Sequence, residues 1–188
     1  MRGNFATVTE KKKMMKTYLE IHVPIKYDAR WFDELRFKMS DTNVRWQNGH
    51  YHITMAFCDE TPDADLRSVL QKHLGNAVSP VLCFDKLDVF ESNTGMFIIH
   101  LGVTNIPTEF SALVEDIRNA LKDKGCVMLS DFKLHVTLGR LKDSSLDISV
   151  IKKIIETVSL PVFSLSLTEI EYKEFGTRHT IYETKLKK

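Results

Sequence analysis

Two seven-residue stretches, Tyr51-His52-Ile53-Thr54-Met55-Ala56-Phe57 and Leu134-His135-Val136-Thr137-Leu138-Gly139-Arg140, repeat one arrangement. Each sets a histidine two positions before a threonine inside an apolar run of strand length, and none of the other five of the seven histidines is followed this way. Alternate residues of a strand share a face. His52, Thr54 and Ala56 are therefore expected on one side, with Ile53, Met55 and Phe57 buried on the other. In the second copy His135, Thr137 and Gly139 form the working side. A histidine titrates near neutrality and can take or give a proton. Two across a cleft could serve as a base and acid pair, one activating an attacking hydroxyl or water while the other protonates a departing oxygen. In-line displacement at phosphorus needs those two groups on opposite sides. Thr54 and Thr137 would supply hydroxyl donors to the phosphoryl oxygens. Ala56 and Gly139, both small, leave room for a phosphate beside them.

Other chemistries fit less well. Zinc could use both histidines, but no acidic or cysteine ligand stands at recognisable spacing near either, so no metal is expected. A serine nucleophile lacks its Gly-x-Ser-x-Gly setting. Around the pair, Arg140 could reach a phosphate, although strict alternation turns it from the face of Gly139. Arg178 and His179 could form a basic rim, and Tyr172 or Phe175 could stack on a base. Tyr51 and Phe57 read as core, and Lys11 to Lys13 as a solvated run.

The elements that must position these groups can be read from periodicity. Tyr18 to Pro24 alternates as a strand and is closed by proline. Asp28 offers an N-cap for a helix over 29–39, with Trp31, Phe32, Leu35 and Met39 inward. Asn48-Gly49 turns into the first histidine strand. Thr61-Pro62 starts a second helix, ended at Gly75. A strand over 81–91 and one over 96–104 form a hairpin about Ser92 to Gly95. Pro107-Thr108 opens a helix ended by Gly125, and the second histidine strand follows. Asp147 caps another helix, and strands over 161–173 and 178–187 close the chain.

Strand, helix, histidine strand, helix, strand thus occurs over 17–91 and again over 95–173, with the histidines 83 residues apart. This predicts an α+β fold of two pseudo-symmetric lobes, with mostly antiparallel sheets backed by helices and a central cleft. Residues 1–16 read as a polar leader and 17–188 as one bilobal domain.

Composition narrows the partners. With 188 residues, 43% hydrophobic and 27% charged, the chain reads as an ordinary soluble protein. A net charge of +1 excludes a polyanion binder held by overall charge. Cys58, Cys83 and Cys126 form neither a disulfide framework nor a zinc ribbon, so a reducing, cytoplasmic location is expected. No stretch reads as a membrane span or signal peptide.

His52-Ile53-Thr54-Met55 and His135-Val136-Thr137-Leu138 resemble the paired signature of the two-histidine (2H) phosphoesterase superfamily. Arg45-Trp46, Phe132 and Gly139-Arg140 are similar to its bacterial 2′-5′ RNA ligase and RNA cyclic phosphodiesterase branch. The resemblance implies a bilobal fold and metal-independent, cofactor-free chemistry on 2′,3′-cyclic phosphates or 2′-5′ linkages, with His52, Thr54, His135 and Thr137 as the active-site set. The expected partners are RNA ends or small cyclic nucleotides bound by a monomer. The competing reading is a non-catalytic module that binds RNA ends or nucleotides in the same cleft.

Overall fold

The computed structural model describes residues 15–26, 29–62, 65–142 and 146–188. Strand β1 (Met15–His22) leads to helix α1 (Arg30–Lys38), which buries Trp31, Phe32 and Leu35. The short β2 (Arg45–Trp46) and the long histidine strand β3 (His52–Thr61) come next. Helix α2 (Leu66–Leu74) precedes β4 (Val81–Phe84), β5 (Lys86–Glu91) and β6 (Phe97–Gly102). Then come α3 (Thr108–Asp123), β7 (Val127–Met128), the second histidine strand β8 (Val136–Leu141) and α4 (Ile148–Glu156). The chain continues through β9 (Phe163–Ser166), β10 (Glu169–Glu174) and β11 (Thr180–Lys185).

The named strands pair antiparallel throughout, giving an α+β architecture with sheets in the orders β11-β10-β1-β3-β7, β2-β8-β6-β5 and β4-β9. Four strands of the larger sheet, β7-β3-β1-β10, correspond to β2-β8-β6-β5 of the other, and β11 has no counterpart. Each histidine strand lies between a long central neighbour, β1 or β6, and a two-residue strand that comes from just before the other histidine strand. β2, which precedes β3 in the chain, pairs with β8, while β7, which precedes β8, pairs with β3. Likewise β5 belongs to the second sheet and β10 to the first, so both sheets draw on both halves of the chain. The helices bury apolar stripes at helical spacing, such as Phe110, Val114, Ile117 and Leu121 of α3.

Several boundaries differ from the periodicity reading. Thr61 does not start a helix: it ends β3, and its hydroxyl lies 2.7 Å from that of buried Thr17. Asp65 caps α2 instead, accepting from the Ser68 backbone N–H. The expected strand over 81–91 breaks at Asp85 and divides between two sheets, and the one over 161–173 breaks at Leu167-Thr168. Asp147 caps α4 as expected. The Asp28 cap and Lys11 to Lys13 lie outside the described residues. Among the described residues no helix is long and apolar enough to cross a membrane.

Candidate active site

Both histidine strands carry a β-bulge at the same step. On β3, Thr54 pairs with Glu20 and Ala56 with Leu19, so Met55 is an extra residue. On β8, Thr137 pairs with His100 and Gly139 with Ile99, which makes Leu138 the extra one. A bulge lets two successive residues face inward and inverts the phase beyond it. Met55 and Ala56 are both buried, as are Leu138 and Gly139. Phe57 and Arg140 then swing round to the face of the threonines.

This overturns three expectations drawn from strict alternation. Phe57 is no core residue but lines the cleft, and Arg140 lines it too. Ala56 and Gly139 do not flank a phosphate. A Cβ on Gly139 would stand 2.6 Å from Val44 Cγ1 and 2.8 Å from Trp46 Cε3, so this glycine admits β2 close beside β8. Tyr51 is fully buried as expected, donating its hydroxyl to the Gln47 carbonyl at 3.0 Å. Buried Arg118 of α3 reaches the bulge as well, donating to the Met55 carbonyl at 3.4 Å and the Ser130 carbonyl at 2.6 Å.

A cleft of about 700 Å³ runs along this face. β3 lines it with His52, Thr54 and Phe57, and across from them stand Arg140 and the Arg45 to Gln47 segment. The turn after β10 closes one end with Phe175, Gly176 and Arg178. Arg178 holds a left-handed backbone (φ 59°), rare for a side chain with a Cβ. Tyr172, expected at the rim, is instead 1% exposed, with its hydroxyl 2.5 Å from Thr17 Oγ1. Its neighbour Lys173 faces the cleft, because adjacent residues of β10 point to opposite sides. Tyr18, Phe57 and Phe175 form an aromatic wall, with ring centroids 6.2 Å apart for Tyr18–Phe57 and 5.1 Å for Phe57–Phe175.

His135 and Thr137 are not among the residues lining this cleft. His135 packs edge-on against Phe90 and His100, at centroid distances of 5.3 and 5.9 Å. The two histidine strands nevertheless touch, and the Arg140 charge acts on both histidines, helping to lower the pKa of each. Arg140 is therefore the group that the two motifs share. Burial lowers its own pKa first, and the Arg45 and Arg178 charges add to the effect. Among the described residues none of these three arginines has a carboxylate in a salt bridge.

Each histidine ring has an oxygen opposite its Nδ1. His135 Nδ1 lies 2.8 Å from the Lys133 carbonyl, an acceptor only, so Nδ1 carries the proton and Nε2 keeps its lone pair. His52 Nδ1 faces Glu20 Oε2 at 3.4 Å. Burial lowers the pKa of both rings, that of His52 to about 4 despite the opposing Glu20 charge. Both are neutral near pH 7.

Glu20 was missed in the sequence reading, although a lone carboxylate between Leu19 and Ile21 of an apolar strand is a signal. It is 1% exposed, with Oε1 taken by His50 Nε2 and Lys173 Nζ, each at 2.7 Å. Burial alone would raise its pKa, but the His50 hydrogen bond, the His52 charge and Lys173 hold it at about 2. Glu20, His50 and His52 offer three ligand atoms within 4.8 Å of one another, so an acidic group does stand beside a motif histidine, contrary to the spacing argument. The Lys173 ammonium already neutralises the carboxylate that a cation would need.

A fold of two similar antiparallel sheets, each with a bulged His-x-Thr strand, beside a cationic cleft that both strands help to line through His52, Thr54 and Arg140, is that of a 2H phosphoesterase. The family model of the 2′-5′ RNA ligase superfamily matches residues 24–173, and the chain belongs to that family of phosphoesterases. Among solved structures, one described as a phosphoesterase aligns with a TM-score of 0.61 at 18% identity, covering 93% of this chain and 99% of that one. E. coli LigT complexed with 3′-AMP aligns at 0.56 with 20% identity, covering 93% and 97%. Kluyveromyces marxianus Usb1 aligns at 0.56 with 11% identity, covering 92% and 99%. At such identities these likenesses establish the fold. A comparison with curated protein sequences returns no match.

Proposed function

We propose that the protein is a metal-independent cyclic phosphodiesterase that opens 2′,3′-cyclic phosphates on RNA ends or small nucleotides. The reading rests above all on the two His-x-Thr strands, which share a bulge and place an oxygen opposite each Nδ1, the Lys133 carbonyl for His135 and Glu20 for His52. One ring takes a proton from water as its oxygen attacks phosphorus. One P–O bond of the cyclic phosphate breaks, and the other ring, which has first taken up a proton from solvent, gives it to the departing oxygen, while the first ring later returns its proton to solvent. Arg140 and the hydroxyls of Thr54 and Thr137 hold the phosphoryl oxygens, whose charge rises in the transition state. With a 5′-hydroxyl attacking in place of water and the P–O3′ bond breaking, the same two proton transfers would join ends at a 2′-5′ linkage. The uncompensated Arg45, Arg140 and Arg178 suit an anion, and the LigT and Usb1 structures that align include complexes with 3′-AMP, ATP and uridine monophosphate.

The test is turnover of 2′,3′-cyclic nucleotides in the presence of a chelator. Activity should survive chelation and be lost in both His52→Ala and His135→Ala. Loss on chelation would instead point to a cation at Glu20, His50 and His52, and binding without turnover in the wild type would identify a nucleotide-binding module.

A further inference from the structure

The near-symmetry of the two histidines is broken directly behind them. In sheet register Glu20 opposes Thr54 and His100 opposes Thr137, so the place that holds a carboxylate in one half holds an imidazole in the other. His135 is held by a neutral carbonyl, whereas His52 faces a buried anion. The two oxygens of that anion are differently employed. Oε1 is bound by His50 and Lys173, but among the described residues Oε2 has no hydrogen-bond partner and is turned to His52 Nδ1, which is buried and also unpartnered there. Two orphaned polar atoms 3.4 Å apart form a contact ready to tighten, as catalytic hydrogen bonds often do only once substrate is bound. A counterion serving Lys173 alone would not need its second oxygen aimed at a ring, and Lys173 has Glu171 at 2.5 Å as well.

We propose that Glu20 is a positioning residue for His52: its Oε2 accepts the Nδ1 proton of the ring, so that Nε2 faces the cleft with its lone pair, and its charge stabilises the imidazolium whenever Nε2 holds a proton. The His50 and Lys173 contacts fix the carboxylate so that it does not turn away. The inference rests on the reading of His52 as a proton-transfer group. It makes the pair unequal, since among the described residues only His52 has an anion behind it to offset the positive charge it acquires.

The first test is the histidine tautomer in the wild-type protein, read from ring ¹⁵N shifts at neutral pH. Nδ1–H at His52 is expected, and Nε2–H there would overturn the proposal. Glu20→Gln then keeps the shape and removes the charge. It should lower kcat by about 10-fold or more with little change in KM, while the His135 tautomer stays as it was. If the loss of the carboxylate charge beside Lys173 prevents folding, the double variant Glu20→Gln/Lys173→Met removes both charges and should show the same loss of kcat. A folded variant whose kcat stays within about twofold of wild type would reduce Glu20 to a structural counterion. Absence of turnover in the wild type would defeat the proposed reaction, yet the tautomer would still decide the role of Glu20.

Discussion

Phe57 and Arg140 are counterparts: each stands five residues beyond its motif histidine, and each is turned into the cleft by a bulge of one extra residue. The same backbone irregularity thus supplies an apolar wall from one half and a guanidinium from the other. The bulge on β8 is closed by the tight approach of Trp46 and Val44 to Gly139.

Gly139→Ala should therefore act through packing. Its Cβ would overlap Val44 and Trp46, forcing β2 from β8 at a cost of about 1–3 kcal/mol. Denaturant unfolding should show that loss, together with weaker substrate binding as Arg45 and Gln47 move with the strand. Wild-type stability in this variant would refute the packing role.

Tyr172→Phe separates the buried hydroxyl from the site. It removes the bond to Thr17 and leaves that hydroxyl its Thr61 partner, so stability should fall by about 1 kcal/mol with kcat and KM unchanged. A rise in KM would restore Tyr172 to the substrate surface.

Phe175, 55% exposed at the end of the aromatic wall, is placed to stack on a base. Phe175→Ala should raise KM for cyclic nucleotides by about 5- to 100-fold, the range expected for losing one base–aromatic stack, with kcat little altered. Equal KM values for the two proteins would rule out stacking there.

Stability should fall as the solution is acidified. His52 and His100 titrate at about 4 when folded against the ordinary histidine value of 6.5, so between these values the unfolded chain binds more protons. Stability is accordingly present above about pH 6.5 and lost as pH falls towards 4. Glu20, held at about 2 against 4.5, extends the loss below pH 4.5. Together these groups should cost a few kcal/mol between pH 7 and 4, measurable as a falling denaturation midpoint. Equal midpoints at pH 7 and 4.5 would contradict the burial of neutral histidines.

Much of the fold was legible because its signals are local. The apolar stripes of α1 and α3, the turn about Ser92 to Gly95 and the Asp147 cap all depend on neighbours in sequence. The family follows from the doubled motif. What alternation could not show was phase, since nothing in Met55-Ala56 or Leu138-Gly139 marks an extra residue, and this misplaced Phe57, Arg140, Ala56 and Gly139. Exchange of β2 and β7 between the sheets was hidden as well, because two-residue strands carry no periodicity. Glu20 became meaningful only when folding brought Lys173 and His50 to it.

The exchange of β10 into the first sheet also sets an order of assembly during synthesis. Glu20 leaves the ribosome early, but Lys173 follows 153 residues later, an interval of roughly 8–30 s at usual elongation rates. Until then the carboxylate cannot be buried with its charge matched, and β1 has no partner on that edge. The edge of β1 that takes β10 is therefore completed only when nearly the whole polypeptide has emerged.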